Sequence, residues 1–200
     1  MKKIAILFAL TTITISSLIS STFSTKPKEI VDGMVISYDE FKETSTIEPK
    51  QFFSFSDGWN SFCIKPFFIV LKDDIISYHI KLTFNCQSHF SEVILLESGK
   101  KISFSVDSTK QKLIQRIPGN DYSWSCIGDY LISKEDFEAL MDLLKADSVT
   151  CGVYNDNQEA VKLTKRKDKK AYSTIIDFYN NKLKELIVAP LPVEIKFIKD

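Results

Sequence analysis

Cys86 and His89 stand three residues apart in the stretch FNCQSHFS, Phe84 to Ser91. A thiol and an imidazole so close in sequence can form half of a metal site, or a nucleophile beside its base. Geometry argues against both. In an extended strand successive side chains point to opposite faces, so two residues an odd number apart diverge unless a turn begins at Gln87. A zinc site takes about four ligands, and the second histidine of the chain, His79, falls on the polar phase of the same strand, out of step with Cys86. A cysteine nucleophile also needs a third group to orient its base, and the local sequence offers none. Cys86 is expected to be a core or disulfide residue and His89 a surface residue at a strand end, with no metal and no cofactor.

Other residues offer chemistry that ordinary structural roles absorb. The run Lys162 to Lys170, KLTKRKDKK, could meet an anionic surface, but it reads first as a solvated strand-to-helix turn. Asp121, Asp129, Glu135 and Asp136 cluster around a helix start, where capping and solvation account for them. There is no nucleophile elbow, phosphate loop, paired-histidine zinc motif or calcium loop. Asp57-Gly58-Trp59-Asn60 differs, because a turn carries a tryptophan, and exposed tryptophan is a frequent binding anchor. It lies in a segment holding Phe52, Phe53, Phe55, Trp59, Phe62, Phe67 and Phe68, more rings than one buried face absorbs. Asp57, Trp59 and Phe62 are the candidate partner contacts, against the alternative that the segment is a two-sided core strand with Trp59 folded back over the sheet edge.

Compartment decides how the cysteines are read. Met1-Lys2-Lys3 precedes the apolar stretch IAILFALTTITISSLI, Ile4 to Ile19, and small residues follow up to Ser24, the three-part pattern of a cleaved signal peptide. The stretch is shorter and more polar than the roughly 20 apolar residues of a spanning helix, so no stable membrane anchor is expected after cleavage. Residues 1–24 form the expected signal peptide and 25–200 a single α+β domain of the bacterial periplasm or exterior. Removing Lys2 and Lys3 leaves 24 basic against 26 acidic side chains, a formal charge of −2, which gives no footing for nucleic acid. Exported cysteines tend to oxidise. A hairpin turn at Asp73 and Asp74 sets Cys63 opposite residues 84 to 86, and Cys126 and Cys151 bracket a helix on adjoining strands. The expected disulfides are Cys63 to Cys86 and Cys126 to Cys151.

Periodicity supplies the elements that position these residues. Ile76, Tyr78, Ile80, Leu82, Phe84 and Cys86 alternate with polar residues and predict a half-buried strand. Cys63 to Leu71 predicts its partner, apolar on both faces, with Pro66 at an edge or bulge. Strands over Glu92 to Leu96 and Ile102 to Val106 flank a Ser98-Gly99 turn, and Lys110 to Ile117 runs to the Pro118-Gly119-Asn120 turn. Tyr122 to Ile132 alternates again. Ser133 and Asp136 have capping-box spacing for a helix whose stripe is Phe137, Leu140, Met141 and Leu144. Strands near Val149 to Val153 and Glu159 to Thr164 precede a second helix over Lys169 to Leu186, and Val193 to Phe197 predicts a last strand. The expected class is α+β: a predominantly antiparallel, sandwich-like meander of about seven to nine strands with two amphipathic helices in its C-terminal half.

These features favour an exported, non-catalytic binding protein of inhibitor or immunity type. It would recognise another envelope or secreted protein through its sheet edge or the Trp59 loop. A small secreted hydrolase with dispersed catalytic residues and a structural envelope component are the alternatives.

Overall fold

The computed structural model describes residues 28–86, 88–116, 123–146, 148–155, 160–165 and 169–200. The expected signal peptide, Gln87, the Pro118-Gly119-Asn120 turn, Asp121 and residues 166–168 of the basic run lie outside the described residues. In chain order the elements are β1 (Lys28–Val31), β2 (Met34–Asp39), β3 (Thr44–Pro49), β4 (Phe53–Ser56), β5 (Ser61–Leu71), β6 (Ile75–Phe84), β7 (Phe90–Glu97), β8 (Lys100–Ser105), β9 (Lys112–Arg116) and β10 (Ser123–Ile132). Then follow α1 (Lys134–Leu144), β11 (Thr150–Asn155), β12 (Ala160–Lys165), α2 (Lys169–Phe178), β13 (Ile187–Val188) and β14 (Ile198–Lys199). The class is α+β, a mostly antiparallel open sheet with two helices, and its 14 described strands exceed the seven to nine expected.

The sheet branches at β5. One arm runs β1-β2-β3-β5-β6-β10-β9, and the other leaves β5 as β4-β12-β11-β7-β8-β14. Branching is possible because β5 is long enough to hold two partners on one edge. Its Ser61 to Ile64 pair with β4 and its Phe68 to Val70 with β3. Pro66 sits in the gap between those two ladders. It therefore lies in a central strand, where the expectation was an edge or bulge, and the gap removes the conflict with its missing N–H.

β5 and β6 form a hairpin closed by Lys72–Asp74, with Asp73 and Asp74 at φ of 63° and 59°. That left-handed region is one that aspartate visits more readily than most residues. The register sets Phe62 opposite Phe84, Ile64 opposite Leu82, Phe68 opposite Tyr78 and Val70 opposite Ile76, all facing the core. β7 brings Phe90 against Phe62 and Phe84, with ring centroids 5.6 and 6.1 Å apart. Helix α1 starts at Ser133, whose hydroxyl accepts from the Asp136 N–H at 3.0 Å, the expected cap. Its Phe137 lies 5.2 Å from Phe68 and 5.0 Å from Tyr179, so the aromatic rings join both helical segments to β5.

The opposite face of the hairpin is mixed, with polar pairs toward its open end and apolar residues toward its turn. Lys65 and Lys81 are directly opposite each other, an arrangement that destabilises by itself. Carboxylates from the flanking strands offset it: Glu48 of β3 pairs with Lys65 and lies 3.6 Å from Lys81, and Asp129 of β10 lies 3.8 Å from Lys81.

The second helix is shorter than expected, because α2 ends at Phe178 and a π-helical turn, Tyr179–Leu183, replaces its last part. The C-terminal segment also departs from expectation. Its last strand is Ile198–Lys199, while the Glu194 and Ile195 N–H groups meet the Leu131 carbonyl at 3.0 and 3.3 Å.

Gly128 gives a direct test of packing on β10. A methyl group there would come within 2.5 Å of the Tyr130 hydroxyl and 2.7 Å of its Cζ. Tyr130 is buried and donates to the Asp107 carbonyl at 3.3 Å. Gly128→Ala is expected to cost about 1–3 kcal/mol through overpacking. Adding Tyr130→Leu should recover part of that loss in denaturant melts. An unchanged midpoint for Gly128→Ala would contradict the packing.

Candidate functional site

The tip between β4 and β5 is built by one carboxylate. Asp57 accepts from the N–H of Trp59 at 2.8 Å and of Asn60 at 2.6 Å, and from Asn60 Nδ2 at 3.0 Å. The Gly58 N–H donates to Ser56 Oγ at 3.0 Å. Gly58 holds φ at +102°, a value that L side chains rarely adopt. These bonds, the Asn60 N–H first among them, hold the Asp57 carboxyl below its usual range. The turn leaves the Trp59 side chain 93% exposed. Of the three expected contacts, Trp59 stands at the surface and Asp57 is the support beneath it. Phe62 is corrected: it is wholly buried, on the core phase of β5 between Phe84 and Phe90.

The cysteines and histidines take other places than their spacing suggests. Cys86 donates to the Ser88 carbonyl at 3.0 Å. His89 turns toward Cys126, with Nδ1 at 3.8 Å from the sulfur, so the local thiol–imidazole pair is not the one that forms. Cys126 is fully buried and donates to Gln111 Oε1 at 2.9 Å. The same amide holds β7, accepting from the Phe90 N–H at 3.1 Å and donating to its carbonyl at 2.7 Å. A thiol enclosed in that way does not reach a substrate. Gln111 was missed in the sequence because its partners lie 15 and 21 residues away.

Among the described residues the structure records no disulfide. The expected Cys63–Cys86 pair fails on register. Cys63 is opposite Thr83 and near Ser54 on the mixed face, whereas Cys86 follows the core phase of Phe84. The Cys126–Cys151 pair fails on topology, since β10 is flanked by β6 and β9, and β11 by β7 and β12. Burial pushes the Cys151 thiol up. Among the described residues no group of three or more His, Cys, Asp or Glu side chains is placed to hold a metal ion.

His79 stacks on Phe67 with centroids 5.0 Å apart, and its Nε2 lies 2.9 Å from Ser77 Oγ. Across the sheet it faces Leu131, whose N–H donates to Glu194 at 2.8 Å. Of the acidic residues near α1, Asp129 and Asp136 have structural partners, Asp129 through Lys81. Asp136 meets Lys199 at 3.0 Å and accepts the Phe197 N–H at 3.4 Å. Of the basic run, Lys162 and Lys170 are exposed.

No family model, curated protein or solved structure matches the chain.

Burial lowers the His79 pKa from 6.5 to about 4, against a smaller opposing pull from Glu194. The folded protein thus resists a proton that the unfolded chain accepts. The neutral imidazole is fully favourable above pH 6.5, and stability falls as pH drops from about 6.5 to about 4. The loss should be about 2 kcal/mol, below the full linkage figure because the ring is partly solvated. His79→Gln should flatten this window in chemical melts between pH 7 and pH 4, and an unaltered pH slope would contradict the assignment.

Proposed function

We propose that this chain is an exported, non-catalytic binding protein, of inhibitor or immunity type, that grips another envelope or secreted protein with Trp59. The observation that carries this reading is an almost fully exposed indole on a backbone already fixed by Asp57. Burying a large apolar side chain contributes about 1.5–3 kcal/mol, and a soluble protein gains nothing by leaving it in water. Tryptophan is among the residues that most often dominate an interface. A turn held by its own hydrogen bonds loses little freedom when a partner closes over it. The hydrolase alternative draws on the Cys126–His89 contact, but the thiol is enclosed and bonded to Gln111. The signal-like pattern of residues 1–24 supports the exported compartment, and the near-neutral charge of residues 25–200 argues against nucleic acid.

Trp59→Ala should weaken capture of the partner from envelope extracts by at least about tenfold, with the melting temperature unchanged. His79→Ala and His89→Ala should leave capture as it is. Full capture by the Trp59→Ala protein, or a large loss of thermal stability, would overturn the contact.

A further inference from the structure

The C-terminal segment closes sheet edges in sequence. β13 runs parallel to β6 at Ile75 and Ile76, Glu194 and Ile195 bond the β10 edge at Leu131, and β14 pairs with β8. Among the described residues the edge of β9 is left out. Among the described residues β9 has one ladder partner, β10, and Leu113 and Ile114 are 38% and 43% exposed. An open strand with apolar side chains at its centre is a template for another strand.

The charges on β9 say which strand. It reads Lys112-Leu113-Ile114-Gln115-Arg116. Two copies paired antiparallel about Ile114 would set each Lys112 opposite the other copy's Arg116, and like charges directly opposite destabilise a ladder. That register, which pairs the strand over its whole length, is disfavoured for a second copy. We propose that β9 accepts, by antiparallel strand addition, an extended protein segment with acidic residues at positions one and five and apolar residues at three and four. In that register the acids lie opposite Arg116 and Lys112, and the apolar pair lies opposite Ile114 and Leu113. Main-chain bonds hold such a segment and the flanking side chains choose it. β9 also ends the row Phe62, Phe84, Cys126, Leu113 across β5, β6, β10 and β9, which starts beside the Trp59 tip. The two contacts can serve one partner, but this inference stands apart from Trp59.

The test uses the mature protein with isotope-labelled amides and two blocked pentapeptides, Glu-Thr-Val-Val-Glu and its charge-reversed form Lys-Thr-Val-Val-Lys, at millimolar concentration. The acidic peptide should shift the β9 amide signals, and the basic one should bind at least about tenfold more weakly. About 0.5 M salt should remove most of the difference. The double variant Lys112→Glu, Arg116→Glu should prefer the basic peptide, which an unfolded protein would not do. Trp59→Ala should bind the acidic peptide as before, so failure of the Trp59 contact and failure of this edge are told apart. The proposal is overturned if neither peptide shifts β9, if both bind equally, if the shifts fall on another strand, or if β9 signals change with protein concentration alone through self-association. Should the charge variant not fold, discrimination by the unaltered protein and its salt dependence still decide the question.

Discussion

The register of β5 on β6 is the constraint on which the other placements depend. Successive residues point to opposite faces, so a one-residue slip would flip one strand against the other, sending either Phe62 and Phe68 or Tyr78 and Phe84 into water and bringing Lys65 or Lys81 into the core. The aromatic face then gives α1 and the π-helical turn their seat, through Phe137 and Tyr179. The mixed face forces charge compensation. Burial alone would raise the Glu48 carboxyl, yet Lys65 and then Lys81 hold it below its ordinary range. Asp129 is raised, because burial there outweighs Lys81. The lysine pair is tolerated because β3 and β10 both bring a carboxylate to it.

Much of this frame is legible in the sequence. The period-two alternation from Ile76 to Phe84, the capped helix at Ser133 and the turn at Asp57 depend on residues a few positions apart, and each forms in the structure. Features that depend on distant pairing are not legible. β1 to β4 are four to six residues long, too short for a sustained alternation to declare them. The Cys63 placement turned on the centre of the β5–β6 turn. Pairing Leu71 with Ile75 puts Cys63 on Thr83, one residue short of the range expected, and that single step changes its face. The exposure of Trp59 and the burial of Phe62 share a similar origin. Both lie in one aromatic-rich segment, and the boundary between turn and strand separates them.

The chemistry of the chain follows from the same geometry. Thiols and imidazoles that looked adjacent are distributed between two faces and a buried amide clamp, where Gln111 joins β7 to β10 by way of Phe90 and Cys126. Among the described residues, Trp59 and Phe41 stand almost fully exposed on turns bonded by Asp57 and Asp39, and β9 has one ladder partner, β10.

Cross-strand proton contacts in the labelled protein test the register most directly. Nuclear Overhauser contacts are expected between Cys63 and Thr83 and between Phe67 and His79, with Phe62 close to Phe84. Direct contacts between Cys63 and Cys86 side chains, or Phe67 opposite Tyr78, would contradict this register, since either requires one strand of the hairpin to slip and exchange its faces.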